Sequence, residues 1–147
     1  MKLQSPAFSH NQMIPAKFTC DGENVSPPLT ISEVPAQTQS LVLIVDDPDA
    51  PGRTFVHWTV WNIDPATREI PEGTSPEGAV EGLTDFGTTG YGGPCPPSGT
   101  HRYFFKLYAV DTRLAVPASA VKSELEAVIS SHATAQAELI GLYSRQR

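Results

Sequence analysis

Apolar and polar positions alternate along this chain in short blocks, and the clearest blocks read as strands. Leu41-Val42-Leu43-Ile44-Val45 is a continuous apolar run of strand length, and Phe55 to Ile63 follows it across a turn. Period two places Phe55, His57, Thr59, Trp61 and Ile63 on one face of that second strand, with Val56, Trp58, Val60 and Asn62 on the other. A strand apolar on both faces is expected inside a sheet or sandwich. His101 to Val110 predicts a third long strand, with His101, Tyr103, Phe105 and Leu107 on one face and Arg102, Phe104, Lys106 and Tyr108 on the other. Ala133 to Tyr143 sets small or apolar residues against Gln136 and Glu138 and predicts a closing strand. The helical period is met over Pro117 to Ser131, where Val121, Leu125, Val128 and Ile129 form a stripe and Pro117 suits a first turn.

The connections are rich in turn chemistry. Asp21-Gly22-Glu23-Asn24 and Asp64-Pro65-Ala66-Thr67 read as turns, and Ser26-Pro27-Pro28 stiffens the entry to a short strand, Leu29-Thr30-Ile31. Weak strand character surrounds Ile14 and Phe18, another short piece surrounds Arg68 to Pro71, and residues 144–147 read as a solvated tail. From Glu72 to Gly99 there is no convincing periodicity. A long loop of that kind inside a compact domain is usually functional or disordered, and Phe86 and Tyr91 favour an ordered, functional one.

At 147 residues the chain is read as one domain, 1–147, large enough for a proper core. An apolar fraction of 39% and a charged fraction of 18% describe a folded protein. The 14 prolines are roughly twice the usual share and suit a β-rich fold with rigid loops. A net charge of −6 argues against nucleic-acid partners, which require a basic surface. The apolar runs fall short of a membrane span, and the first residues lack the hydrophobic region of a signal peptide, so the expected location is cytoplasmic. Cys20 and Cys95 are accordingly expected as reduced, half-buried thiols, with a conditional disulfide as the alternative.

The candidate chemistry gathers at two loop–His–strand units. Asp47-Pro48-Asp49-Ala50-Pro51 is a turn stiffened by prolines, and it precedes His57; Gly92 to Thr100 is a Gly/Pro-rich loop that precedes His101. If the two strands are neighbours, Asp47, Asp49, His57, His101 and Tyr103 meet at one sheet edge. Singly, such residues are more often loop anchors; two similar units together raise the functional reading. Two His and two Asp could ligate a divalent metal, although the short spacings of zinc motifs are absent. A nucleophilic Cys95 is the weakest option, because no helix N-terminus is predicted beside it. The third option is an anion pocket: carboxylates fix the imidazole tautomers and raise their pKa, and Gly92 and Gly93 let backbone amides approach the ligand. Arg102 points away from His101 and is read as the partner of an acid in the first turn. Trp58, Trp61 and the helix stripe are read as core.

The ordered motifs Asp47-Pro48-Asp49-Ala50-Pro51 with His57-Trp58, and Gly93-Pro94 with Gly99-Thr100-His101-Arg102-Tyr103, resemble the two signature regions of the phosphatidylethanolamine-binding proteins, or Raf kinase inhibitor proteins. Cys20 to Leu29 and Tyr91 to Pro97 resemble the compact bacterial branch, and the resemblance covers nearly the whole chain. It implies a mainly β fold, an antiparallel two-sheet, β-sandwich-like arrangement with one or two peripheral helices. It also implies a non-enzymatic pocket for phosphate or phosphorylethanolamine-like ligands made by Asp47, His57, Gly93, His101 and Tyr103, with Asp49 in support and no cofactor. Further implied partners are a kinase or other protein, and a second copy of the chain in a homodimer. Membrane insertion is not expected. The link from Pro51 to His57 is shorter than in eukaryotic members, and no long helix follows Tyr143, both of which weigh against kinase regulation. The competing classes are a hydrolase or metalloenzyme using the same Asp/His cluster, and a protease or kinase inhibitor acting through the 72–99 loop.

Overall fold

In the computed structural model, which describes residues 1–145, the chain forms nine strands and one α-helix among the described residues. In order these are β1 (Lys2–Gln4), β2 (Gln12–Met13), β3 (Leu29–Ser32), β4 (Ser40–Asp47), β5 (Phe55–Ile63), β6 (Glu69–Ile70), β7 (Val80–Glu81), β8 (His101–Val110), α1 (Lys122–His132) and β9 (Ala133–Tyr143). A 3-10 turn, Ala16–Phe18, precedes the first cysteine loop. Six strands pair in the order β2-β9-β8-β4-β5-β7, and a smaller sheet has the order β1-β3-β6. The mainly β, two-sheet expectation holds; β2 runs parallel to β9, and the other pairings are antiparallel.

The position of β4 follows from its sequence. All eight of its residues are buried, which requires cover on both faces of the large sheet. Leu41, Leu43 and Val45 join Trp58, Val60, Phe105, Leu107, Leu139 and the inner residues of β1 and β3 in the core between the sheets. Val42 and Ile44 face the other way, against Trp61, Val110, Leu125 and Ile129 under α1. Trp58 and Trp61 thus serve two separate cores.

Two irregularities in β5 reset the alternation that strict period two would give. β4 pairs Asp46 with Val56 but Val45 with Trp58, so His57 is an extra residue in the ladder, a β-bulge. It turns His57 to the side of Trp58 instead of the side of Thr59 and Trp61. A second register shift lies between Val60 and Ile63, where Asn62 adopts φ 57° and exchanges hydrogen bonds with Leu114 (Nδ2–H to its carbonyl at 2.9 Å, its N–H to Oδ1 at 2.7 Å). Ile63 therefore returns to the inter-sheet core with Trp58.

The helix begins later than Pro117. Pro117 instead accepts the N–H of Ala120 in a preceding turn, and Glu124 reaches back to the N–H of Val121 at 3.3 Å, fixing the first helical turn there. Val121 is consequently exposed, while Leu125 and Ile129 carry the buried stripe. Within the loop expected over 72–99, β7 pairs with β5, and Leu83 bridges Thr89. The tail is not wholly solvated: Arg145 is half-buried and pairs with Asp21 at 2.9 Å, while residues 146 and 147 lie outside the described residues. Among the described residues no helix is long and apolar enough to cross a membrane.

The cysteines form a disulfide, with Cα atoms 5.4 Å apart across 75 positions, against the expectation of two reduced thiols. The turn at Ala16–Phe18 carries Cys20 beside the second loop, where its N–H donates to the Pro94 carbonyl at 3.1 Å. The bridge leaves Cys95 without a thiolate to act as a nucleophile. It also removes the cysteine-based argument for a reducing compartment.

Candidate functional site

Antiparallel pairing brings the end of β4, the bulge of β5 and the start of β8 to one edge of the large sheet. Asp47, His57, His101 and Tyr103, all buried, line a pocket of about 170 Å³ there. Three of the carboxylates near the turn are sorted by the sheet and by pairing. Asp46 faces α1, where Lys106 and Lys122 each lie 3.1 Å from its Oδ2. Asp47 faces the pocket. Asp49 sits outside it, gripped by Arg102 through the backbone N–H and Nε at 2.9 Å and through Nη2 at 2.8 Å. The hydrogen bonds and charge of Arg102 hold the Asp49 carboxyl down to about 2, below the usual carboxylate range. Asp49 therefore fixes the turn to β8, in the role read for the Arg102 partner.

Both Asp47 oxygens are engaged: Oδ2 with His101 Nδ1 at 2.6 Å, and Oδ1 with the Asp49 N–H at 2.7 Å. The His57 ring is anchored differently from the expectation, its Nδ1 lying 2.8 Å from the Gly92 carbonyl and not against a carboxylate. That carbonyl can only accept, so His57 carries its neutral-state proton on Nδ1. Burial lowers the His57 pKa; the Gly92 hydrogen bond and the charges of Asp47 and Asp46 oppose this without overcoming it. The tyrosine between the histidines is held well above its usual range by burial and by Asp47, so its hydroxyl stays protonated. Its ring stands nearly perpendicular to His57 (centroids 5.2 Å apart, 82°) and stacks near His101 (6.4 Å, 24°). With each Nδ1 occupied, Nε2 is the atom through which either imidazole can meet a ligand.

Gly92 and Gly93 shape the loop but do not offer the amides expected of them. The Gly92 N–H donates to the His57 carbonyl at 3.0 Å, and the Gly93 N–H donates to Asn24 Oδ1 at 2.9 Å. Gly93 is absent from the pocket lining; its requirement is close packing. A Cβ there would lie 2.3 Å from the Phe18 carbonyl oxygen and 2.9 Å from the Thr19 Cα, backbone atoms that cannot swing aside. Gly93→Ala should therefore cost about 1–3 kcal/mol of stability as an overpacking change, measured by urea unfolding. A wild-type midpoint would contradict this packing.

The pocket walls include residues that alternation could not reveal. Pro51, Phe55, Phe86, Pro96 and Pro97 form an apolar collar above the polar floor. Phe86 is exposed, yet it packs on Phe55 at 4.9 Å and on His57 at 5.3 Å. Only its aromaticity inside an aperiodic Gly/Pro segment could have drawn notice. A larger groove of about 550 Å³ lies along β1 and β9, away from His57 and His101, and its charged residues Lys2 and Glu138 are exposed. Size alone therefore does not mark the site. Among the described residues no group of three or more His, Cys, Asp or Glu side chains is arranged to hold a metal ion.

Fold and pocket together define a two-sheet β protein with a small Asp/His pocket at the edge of its large sheet. Residues 4–144 match the family model described as Phosphatidylethanolamine-binding protein. A UPF0098 protein of Methanothermobacter thermautotrophicus is 48% identical over 150 residues, with 99% of each chain covered. The crystal structure of a putative phosphatidylethanolamine-binding protein homolog from Chlamydia trachomatis superposes with a TM-score of 0.95 at 41% identity, covering 99% of this chain and 97% of that one. The Escherichia coli protein YBCL, described as a new member of the mammalian family, gives a TM-score of 0.92 at 33% identity, covering 99% and 98%. The chain belongs to the phosphatidylethanolamine-binding protein family.

Proposed function

We propose that this protein binds small phosphorylated or otherwise anionic ligands, without transforming them, in the pocket of Asp47, His57, His101 and Tyr103. The observation that carries this reading is the tethering of both imidazoles by Nδ1, at 2.6 Å to Asp47 and 2.8 Å to Gly92, around a cavity of about 170 Å³. That volume is below the roughly 300–1,000 Å³ of sites for larger organic ligands, and it suits a phosphate or head-group-sized anion. The protonated Tyr103 hydroxyl supplies a donor that does not depend on pH in the neutral range. Asp49 and Gly93 support the pocket from outside, by clamping the turn and by close loop packing. Each imidazole keeps its Nε2 for a ligand, but among the described residues no group of three or more His, Cys, Asp or Glu side chains is placed to hold a metal ion, which favours the anion reading over the metalloenzyme one.

The His57 shift fixes the sign of the pH dependence. Its folded pKa lies below the ordinary value of about 6.5, so burial holds it neutral when an unfolded chain would already be protonated. Its contribution to stability is full above about pH 6.5 and is lost as pH falls toward the folded pKa. An anion bound at Nε2 favours the protonated ring, so binding takes up a proton. Sulfate, whose own charge is constant across this range, should therefore bind more tightly as pH falls from about 7.5 to about 5.5. Calorimetry on the wild type and His57→Gln tests this, with His101, Asp47 and Tyr103 unchanged in both. A flat affinity profile in the wild type would count against the proposal.

A further inference from the structure

The geometry points to a second binding site, for a small organic ammonium ion, in the polar groove built around Glu81. This groove of about 290 Å³ is separate from the anion pocket: Trp58 and Tyr91 line it, while their neighbours His57 and Gly92 hold the other site. It does not depend on the anion reading.

Glu81 is half-buried on edge strand β7 and is the one acidic or basic side chain in the lining. The Trp58 indole N–H donates to its Oε2 at 2.7 Å and fixes the carboxylate in place. Several other acids are neutralised: Asp46 with Lys106 and Lys122, Asp49 with Arg102, Asp85 with Arg53, and both Glu23 and Glu72 with Lys17. Glu81 forms no such ion pair among the described residues. A carboxylate partly withdrawn from water, oriented but lacking a cation, is a binding determinant for one.

The surroundings select the kind of cation. Tyr91, half-buried, lines the groove and packs on Trp58 at 5.5 Å and 86°, and an aromatic wall of this kind favours a cation; Trp58, 1% exposed, contributes through the indole N–H that holds Glu81. Ser75 also lines it, with a hydroxyl that is buried and has no hydrogen-bond partner among the described residues; Thr89 adds a second hydroxyl at the exposed rim. An ammonium has donors and no acceptor, so it matches one carboxylate and neutral oxygens. A single carboxylate is too few ligands for a calcium or magnesium site. Gly90, at φ 94°, leaves the carboxylate uncovered, since a Cβ there would sit 3.5 Å from Oε2.

The test is a methylammonium chloride titration of the intact protein, read from the indole N–H resonance of Trp58 by NMR, with the Trp61 resonance as internal reference. The expected result is a saturable Trp58 shift, absent with potassium chloride at equal ionic strength and with neutral methanol, and at least tenfold weaker in Glu81→Gln. An unchanged Trp61 resonance verifies that the variant is folded, and the potassium and methanol controls stand on the wild type alone. No Trp58 shift, an equal shift with potassium or methanol, or wild-type affinity in a folded Glu81→Gln protein would overturn the proposal.

Discussion

Replacing Cys20 and Cys95 together by serine should lower the free energy of unfolding by about 2–5 kcal/mol, the range for loss of a native disulfide. The bridge spans 75 positions, and loop closure of that length gives about 4.5 kcal/mol in the chain-entropy account. Three hydrogen bonds continue to join the two loops without it: Cys20 N–H to Pro94, Gly93 N–H to Asn24, and Tyr91 hydroxyl to Phe18. The effect therefore acts mainly through the unfolded chain, and the native fold should persist. Urea unfolding should show a lower midpoint with a steeper slope, because the unlinked chain exposes more surface. Thiol reduction of the wild type should reproduce it, and unchanged stability in both would mean that the bridge contributes nothing beyond those bonds.

The second large effect is expected at Asp47. Asp47→Ala leaves the buried His101 ring N–H and the part-buried Asp49 N–H without the carboxylate that accepts from both. Each buried donor left unpaired costs about 1–3 kcal/mol. The His101 ring also loses the group that sets its orientation and tautomer, so affinity for phosphate should fall at least tenfold. Arg102→Ala provides the contrast: its exposed pair with Asp49 is a surface ion pair worth about 0–1 kcal/mol, and the pocket floor does not include it. Thermal unfolding and calorimetry on the two variants separate the roles. Equal phosphate affinity in Asp47→Ala and wild type would remove Asp47 from the account.

Much of this architecture was legible in the sequence where the physics is local. The strands Phe55–Ile63, His101–Val110 and Ala133–Tyr143 carry apolar alternation or β-branched and aromatic runs along their whole length, and the structure has the same bounds. That Arg102 pairs with an acid of the first turn followed from its pointing opposite His101; that the acid is Asp49 comes from the structure. What alternation could not supply was the bulge at His57. Its place is set by pairing with β4, a partner distant in the chain, and a strict period of two puts the ring on the wrong side. The disulfide was hidden for the same reason, since the approach of Cys20 to Cys95 depends on the packing of Gly93 against the Phe18–Thr19 backbone. The late start of α1 turned on one side chain, Glu124. Phe86 and the proline collar belong to a loop whose order comes from bridges such as Leu83 to Thr89, which leave no periodic trace.

The bulge also bears on function. It delivers His57 and Trp58 to the same side of β5, so a single backbone irregularity supplies one residue to the Asp47/His101 pocket and the next to the Glu81 groove.

The measurement that tests the central claim most directly is an NMR titration with phosphate and then phosphorylethanolamine, following the imidazole resonances of His57 and His101 at fixed pH. The pocket account predicts saturable shifts of both rings with either ligand, lost in His101→Ala. Unmoved resonances at ligand concentrations that saturate known phosphate sites would contradict it.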